Sequence, residues 1–82
     1  MAETTIQITS NDNLLLRYSA WTGRLIVYHN GHEIGKFGML GGVQTFKIGE
    51  KLVEVESRLT AWLTNRTTVR VDGVIVGQYS WL

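Results

Sequence analysis

The sequence predicts an all-β fold, an antiparallel β-sandwich of about eight short strands built from two similar hairpin-containing halves. Three observations carry this. The segment Val27-Tyr28-His29-Asn30-Gly31-His32-Glu33-Ile34-Gly35-Lys36-Phe37 is echoed by Val69-Arg70-Val71-Asp72-Gly73-Val74-Ile75-Val76-Gly77-Gln78-Tyr79. Each copy sets Asn-Gly or Asp-Gly between alternating apolar residues, the strongest short-range signal for a β-hairpin. Proline is absent, and most of the nine glycines separate apolar alternations, as tight turns separate strands. The alternation itself has a period of two, which gives each strand one apolar face for a second sheet to cover.

The elements follow in order. Residues 4–9 alternate, with Ile6 and Ile8 on one face, and Asn11-Asp12-Asn13 has the chemistry to turn the chain. Residues 14–21 place Leu14, Leu16, Tyr18 and Ala20 on one side, before a second turn at Thr22-Gly23. Residues 24–29 and 32–37 form the first hairpin. The Gly-rich stretch 38–42 reads as a flexible connection. Strands follow at 43–48, with Phe46 and Ile48 on one face, and at 51–57, with Val53 and Val55 facing in and Glu54 and Glu56 out. Residues 57–66 suit a strand or loop better than a helical turn, because Thr60, Trp62 and Thr64 favour extended backbone. Residues 67–71 and 74–81 close the chain as the second hairpin. The core expected from this pattern is Ile6, Ile8, Leu14, Leu16, Tyr18, Val27, Ile34, Phe46, Ile48, Val53, Val55, Val69, Val71 and Val76.

Length and composition set the bounds. A chain of 82 residues fits one domain spanning 1–82. With 44% hydrophobic and 18% charged residues, the composition is that of a globular chain. There is no cysteine, which excludes a disulfide framework and thiolate chemistry and fits a reducing, cytoplasmic setting. A net charge of +1, with basic and acidic residues interspersed, lacks the basic footprint of a nucleic-acid binder. No apolar run approaches the length of a membrane span, and no secretory leader is visible at the start.

Four stretches carry a family resemblance. Ile6-Gln7-Ile8 is followed by Asp12 and Leu14-Leu15-Leu16, and then by Tyr28-His29-Asn30-Gly31-His32-Glu33-Ile34. Further on come Gly42-Val43-Gln44-Thr45-Phe46-Lys47-Ile48-Gly49 and Thr67-Thr68-Val69-Arg70-Val71-Asp72-Gly73. In order and spacing, residues 6–79 resemble the β-sandwich domain of the Fas apoptotic inhibitory molecule family. Members of that family hold two such domains in tandem, whereas this chain holds one. The resemblance implies a non-enzymatic interaction protein, linked in animals to survival signalling and protection against aggregation. It brings no catalytic residues and no cofactor.

The residues themselves offer several constellations. His29 and His32 flank the two-residue turn and should face each other across the strands. Imidazoles suit zinc, copper or nickel. Two ligands are too few for a metal site, however, and Glu33 should point to the other face, so no metal is assigned. Glu54 and Glu56 share a strand face as paired carboxylates do in glycosidases, but no nucleophile or acid–base partner accompanies them. Asn65-Arg66-Thr67 matches the glycosylation pattern, which without a secretory leader reads as coincidence.

Arg17, Tyr18, Trp21, Arg24 and Tyr28 gather around the Thr22-Gly23 turn, and arginine and aromatic side chains supply hot spots for protein partners. The candidate interaction surface is therefore Arg17, Trp21, Arg24, Tyr28, His29 and His32. The expected function is a non-enzymatic protein-interaction module with an unidentified protein partner. It would bind through an exposed sheet face or a strand edge, and the unbroken edges allow a homodimer. The alternatives are a small ligand- or metal-binding domain using the His29/His32 end, or a single-strand nucleic-acid binder built on the aromatic and arginine residues.

Overall fold

A computed structural model describes residues 2–60 and 64–81. Eight strands run in chain order: β1 (Ala2–Thr9), β2 (Asp12–Ser19), β3 (Arg24–His29), β4 (His32–Phe37), β5 (Gly41–Ile48), β6 (Lys51–Leu59), β7 (Asn65–Val71) and β8 (Val74–Trp81). They form two four-stranded antiparallel sheets, β1-β2-β3-β4 and β5-β6-β7-β8, which pack together as a β-sandwich. Every strand pairs with its sequence neighbour, so each sheet is an uninterrupted meander. One end of the sandwich carries the tight turns at 10–11, 30–31, 49–50 and 72–73. The opposite end carries the connections at 20–23, 38–40 and 60–64, of which residues 61–63 lie outside the described residues.

The two Gly turns set the register. Asn30 and Gly31 have φ of 48° and 86°, and Asp72 and Gly73 have 50° and 84°, as a type I′ turn requires at both central positions. Each turn also grips the strand beyond its own hairpin. The Asn30 N–H donates to the Asn13 carbonyl, and Asn30 Oδ1 accepts from the Asn13 N–H at 2.9 Å. The Asp72 N–H donates to the Leu52 carbonyl, and Asp72 Oδ1 accepts from the Leu52 N–H at 2.9 Å. The turn side chain thereby acts as an additional rung of the ladder.

The hairpins also share an irregularity. Val27 pairs with Gly35 but Tyr28 with Glu33, and Val69 pairs with Gly77 but Arg70 with Ile75. Ile34 and Val76 are therefore β-bulge residues, and each bulge reverses which residues face inward beyond it. This corrects the expected core. Val76 is 46% exposed, and the inward row of β8 continues through Gly77, Tyr79 and Trp81. In β4 the same phase change buries Phe37.

The core consists of Ile6, Leu14, Leu16, Tyr18, Leu25, Val27, Phe37, Ile48, Val53, Val55, Val69 and Trp81. Ile8, Ile34, Phe46 and Val71 are half-buried against it. Trp81 lies in an offset stack with Tyr18 of the other sheet, ring centroids 5.7 Å apart and planes 19° apart. Its indole N–H donates to Thr67 Oγ1, the Thr67 hydroxyl to Asn65 Oδ1, and Asn65 Nδ2 to Ser57 Oγ. The chain of bonds satisfies polar groups that would each be costly to bury alone. Asn65 is 1% exposed, so its side chain is a structural hydrogen-bonding group and not a surface acceptor for a glycan.

One further expectation changes. The connection expected over 38–42 is shorter: the Gly41 N–H donates to the Gly38 carbonyl at 3.0 Å, and β5 begins at Gly41. Gly41 lies so close to the Ser57 carbonyl that no Cβ fits between them. Within 57–66 the described residues are mainly strand, β6 reaching Leu59 and β7 starting at Asn65. The Thr60 N–H donates to the Thr64 carbonyl at 2.8 Å across the connection.

Sheet-to-sheet approach depends on Gly35, where an added Cβ would stand 2.5 Å from Phe46 Cζ and 2.6 Å from Gln44 Oε1. Gly35→Ala should therefore destabilise the protein by about 1–3 kcal/mol through overpacking, measured as a lowered midpoint of urea unfolding. Gly38→Ala, whose Cβ would meet open space, should stay within about 0.5 kcal/mol of the parent.

Candidate functional site

Strand alternation and the turn positions divide the sequence-derived candidates among three places. Arg17 and Tyr28 project from the outer face of the first sheet, and the Arg17 guanidinium lies over the Tyr28 ring, 5.4 Å from its centroid. Arg17 also donates to Glu3 Oε2 at 2.6 Å, which holds its proton more firmly than in a free arginine. Tyr18 points the other way, into the core. The five residues around the Thr22-Gly23 turn thus do not form one cluster.

Trp21 and Arg24 stand at the end of the sandwich opposite the tight turns. The turn is pinned by the Gly23 N–H donating to the Ser19 carbonyl and the Arg24 N–H to Thr22 Oγ1. Trp21 is left 99% exposed. The 38–40 turn meets the Thr22-Gly23 turn: Met39 rests so closely on Gly23 that a Cβ added there would lie 2.7 Å from the Met39 Cγ. Leu40, 81% exposed, follows Met39 in the same turn. Sequence reading identified Trp21 but not its neighbours, because Met39 and Leu40 looked like filler within a Gly-rich connection.

His29 and His32 pair across the first hairpin at the tight-turn end. His32 is exposed, whereas His29 Nε2 lies 2.7 Å from Asp12 Oδ1. The Thr9 hydroxyl donates to the other Asp12 oxygen. The resulting order is hydroxyl, carboxylate, imidazole. A nucleophilic triad needs the imidazole between the other two, so the hydroxyl here has no base to activate it. The bonds from Thr9 and His29 hold the Asp12 carboxyl below the usual carboxylate range, the Thr9 bond contributing most. The arrangement ties the β1–β2 turn to β3. Among the described residues, no group of three His, Cys, Asp or Glu side chains could hold a metal ion.

Sequence reading missed the outer face of the second sheet. Antiparallel register sets Glu54 beside Arg70 and Ile75, then Glu56 beside Thr68 and Gln78, then Arg58 beside Arg66 and Ser80. Glu56, Arg58, Arg66, Thr68, Arg70 and Gln78 line a concavity of about 200 Å³. Arg70 Nη1 donates to Glu54 at 2.7 Å and to Glu56 at 3.1 Å, and Arg58 Nη2 donates to Glu56 at 2.8 Å. The Arg70 bond, with Arg58 adding to it, holds the Glu56 carboxyl below its ordinary range. Glu54 and Glu56 do share the outward face of β6, but as partners of arginines. No motif signals this site, since its members are spread over three strands and meet only once the register is known. Among the described residues, no helix is long and apolar enough to cross a membrane.

The two lowered carboxyls set a pH dependence. Their folded pKa lies below the unfolded value, so the stability they contribute is present above the unfolded pKa and is lost as pH falls through the folded one. Carboxyl ¹³C titration should place the Asp12 and Glu56 midpoints below the ordinary carboxylate values. Arg70→Gln should move the Glu56 midpoint upward and leave Asp12 unchanged.

Comparison of the chain with family models, with curated proteins and with solved structures found no match in any of the three.

Proposed function

We propose that this domain is a non-enzymatic protein-interaction module, the role implied by its resemblance to the Fas apoptotic inhibitory molecule family. The contact is made by the apolar tip formed by Trp21, Met39 and Leu40. The observation that carries this reading is the position of Trp21, fully presented to solvent by a hydrogen-bonded turn at the end of the sandwich that also carries the exposed Met39 and Leu40. Tryptophan in such a setting contributes large apolar area at little conformational cost, which is why it dominates the energetics of protein interfaces. A turn fixed by its own backbone bonds presents it with little ordering left to lose on binding. The lack of cysteine supports work in a reducing compartment such as the cytoplasm.

A second reading is self-association along β8, an edge strand on which Val74, Ile75 and Val76 are all exposed. The bulge at Val76 interrupts the ladder a second copy would extend, which favours the tip over the edge.

Trp21→Ala and Leu40→Ala should each weaken capture of protein partners from native extract by about 2 kcal/mol or more. Thermal stability should change by no more than about 0.5 kcal/mol, as for a surface site. Equal capture by parent and variants, or a large drop in melting temperature, counts against the tip. Sedimentation equilibrium tests the edge reading: a dimer abolished by Ile75→Lys supports it, and a monomer at all concentrations removes it.

A further inference from the structure

We propose that the concavity on the outer face of the second sheet binds a tetrahedral oxyanion, a phosphate or sulfate group. This site is independent of the apolar tip.

The second sheet carries an electrostatic cost. Arg58 and Arg66 are direct cross-strand partners in the β6–β7 ladder. Like charges placed opposite one another destabilise a sheet. Arg58 is relieved through Glu56, but Arg66 makes no ion pair among the described residues. Arg70 lies two positions along β7 from Thr68, on the same face, and completes a set of three guanidiniums around it. The set faces two carboxylates, Glu54 and Glu56, leaving one positive charge in excess. The other sheet shows the contrast. On its outer face Arg17 sits opposite Glu3 on one side and Ile26 on the other and is paired with the Glu3 carboxylate, so no two guanidiniums face each other there.

The free hydrogen-bonding capacity points the same way. Each guanidinium carries five N–H donors, and those of Arg58 and Arg70 commit one nitrogen each to carboxylates. Thr68, only 5% exposed, forms the floor between them. Its oxygen accepts from Gln78 Nε2 at 3.4 Å, which leaves the hydroxyl proton free to donate. The lining therefore has donors in surplus and its main acceptors already engaged. Glu54 and Glu56 serve as braces that fix Arg70 and Arg58 in place, so these forks are preorganised for a planar or tetrahedral anion. The volume of about 200 Å³ is below the ~300–1,000 Å³ typical of sites for drug-sized molecules, which fits a single anionic group.

The test is titration of the ¹⁵N-labelled full chain at low ionic strength, following arginine Nε–Hε and backbone resonances. The probes are inorganic phosphate, inorganic sulfate, methyl phosphate and methyl sulfate, with chloride as control. Saturable shifts confined to Arg58, Arg66, Thr68, Arg70 and Gln78 are expected with the tetrahedral anions and not with chloride. Tighter binding of the methyl esters identifies the anion as a group carried on a larger molecule; tighter binding of the inorganic ions identifies a free anion. Arg66→Gln should weaken binding by about tenfold, the loss of one charge-assisted contact. Arg17→Gln on the other sheet should leave it unchanged. Because Arg70 also braces Glu54 and Glu56, Arg70→Gln is judged only with its unfolding midpoint measured alongside. Shifts that do not saturate, that appear equally with chloride or around Arg17, or that persist at full strength in Arg66→Gln overturn the proposal.

Discussion

The grip of Asn30 on Asn13, and of Asp72 on Leu52, sets the register on which the sandwich depends. In a two-faced sheet, a slip of one residue exchanges every buried side chain for an exposed one. A type I′ turn fixes the two strands it joins, but not the third strand alongside. Here the turn residue uses its own N–H and side-chain oxygen to bond that third strand, so three strands are aligned at once. The inward rows of Leu14, Leu16, Leu25 and Val27, and of Val53, Val55 and Val69, follow from those alignments. So does the outward lattice of Glu54, Glu56, Arg58, Arg66 and Arg70.

The sheets then fit together through contrasts of size. Phe46 occupies the space that Gly35 leaves vacant, and Tyr79 folds over Gly77, whose added Cβ would lie 2.5 Å from the tyrosine hydroxyl. Both glycines directly follow a bulge residue, so the bulge and the missing side chain operate as a unit. One changes the phase of the edge strand, and the other gives an aromatic ring room to lie against the backbone. Near the opposite end of the sandwich, Trp81 links an aromatic stack to a chain of buried hydroxyl and amide groups. Its ring packs while its N–H is satisfied, as a buried indole requires.

The sequence conveyed the architecture through features that are local. Strand alternation and Asn-Gly or Asp-Gly turns act over a few residues, and they placed the strands, the hairpins and most of the core. The bulges escape such reading because an extra residue in one strand is visible only against its partner, and for that reason Val76 is exposed where alternation puts it inside and Phe37 is buried where alternation puts it outside. The inward row of β7 was partly hidden by its polarity, since Asn65 and Thr67 read as surface residues until their bonds to Ser57 and Trp81 are seen. At the candidate sites the divide is similar. Trp21 was conspicuous by its chemistry, but the arginine-lined concavity arises from residues of β6, β7 and β8 whose adjacency no single segment encodes.

The meander topology also shapes how the chain acquires its fold. Because each strand pairs only with its sequence neighbour, the first sheet, residues 2–37, can close entirely through short-range contacts, which are kinetically inexpensive. During synthesis that sheet emerges first, carrying Leu14, Leu16, Tyr18, Leu25, Val27 and Phe37 on a face with nothing yet to cover it. Until the second sheet arrives and Phe46 seats against Gly35, the half-made sandwich is an open apolar surface between two unpaired edges. The bulge in β1 between Gln7 and Thr9, and the one at Ile34 in β4, interrupt those edges. They are kinks in the strands most exposed to mispairing with a neighbouring nascent chain.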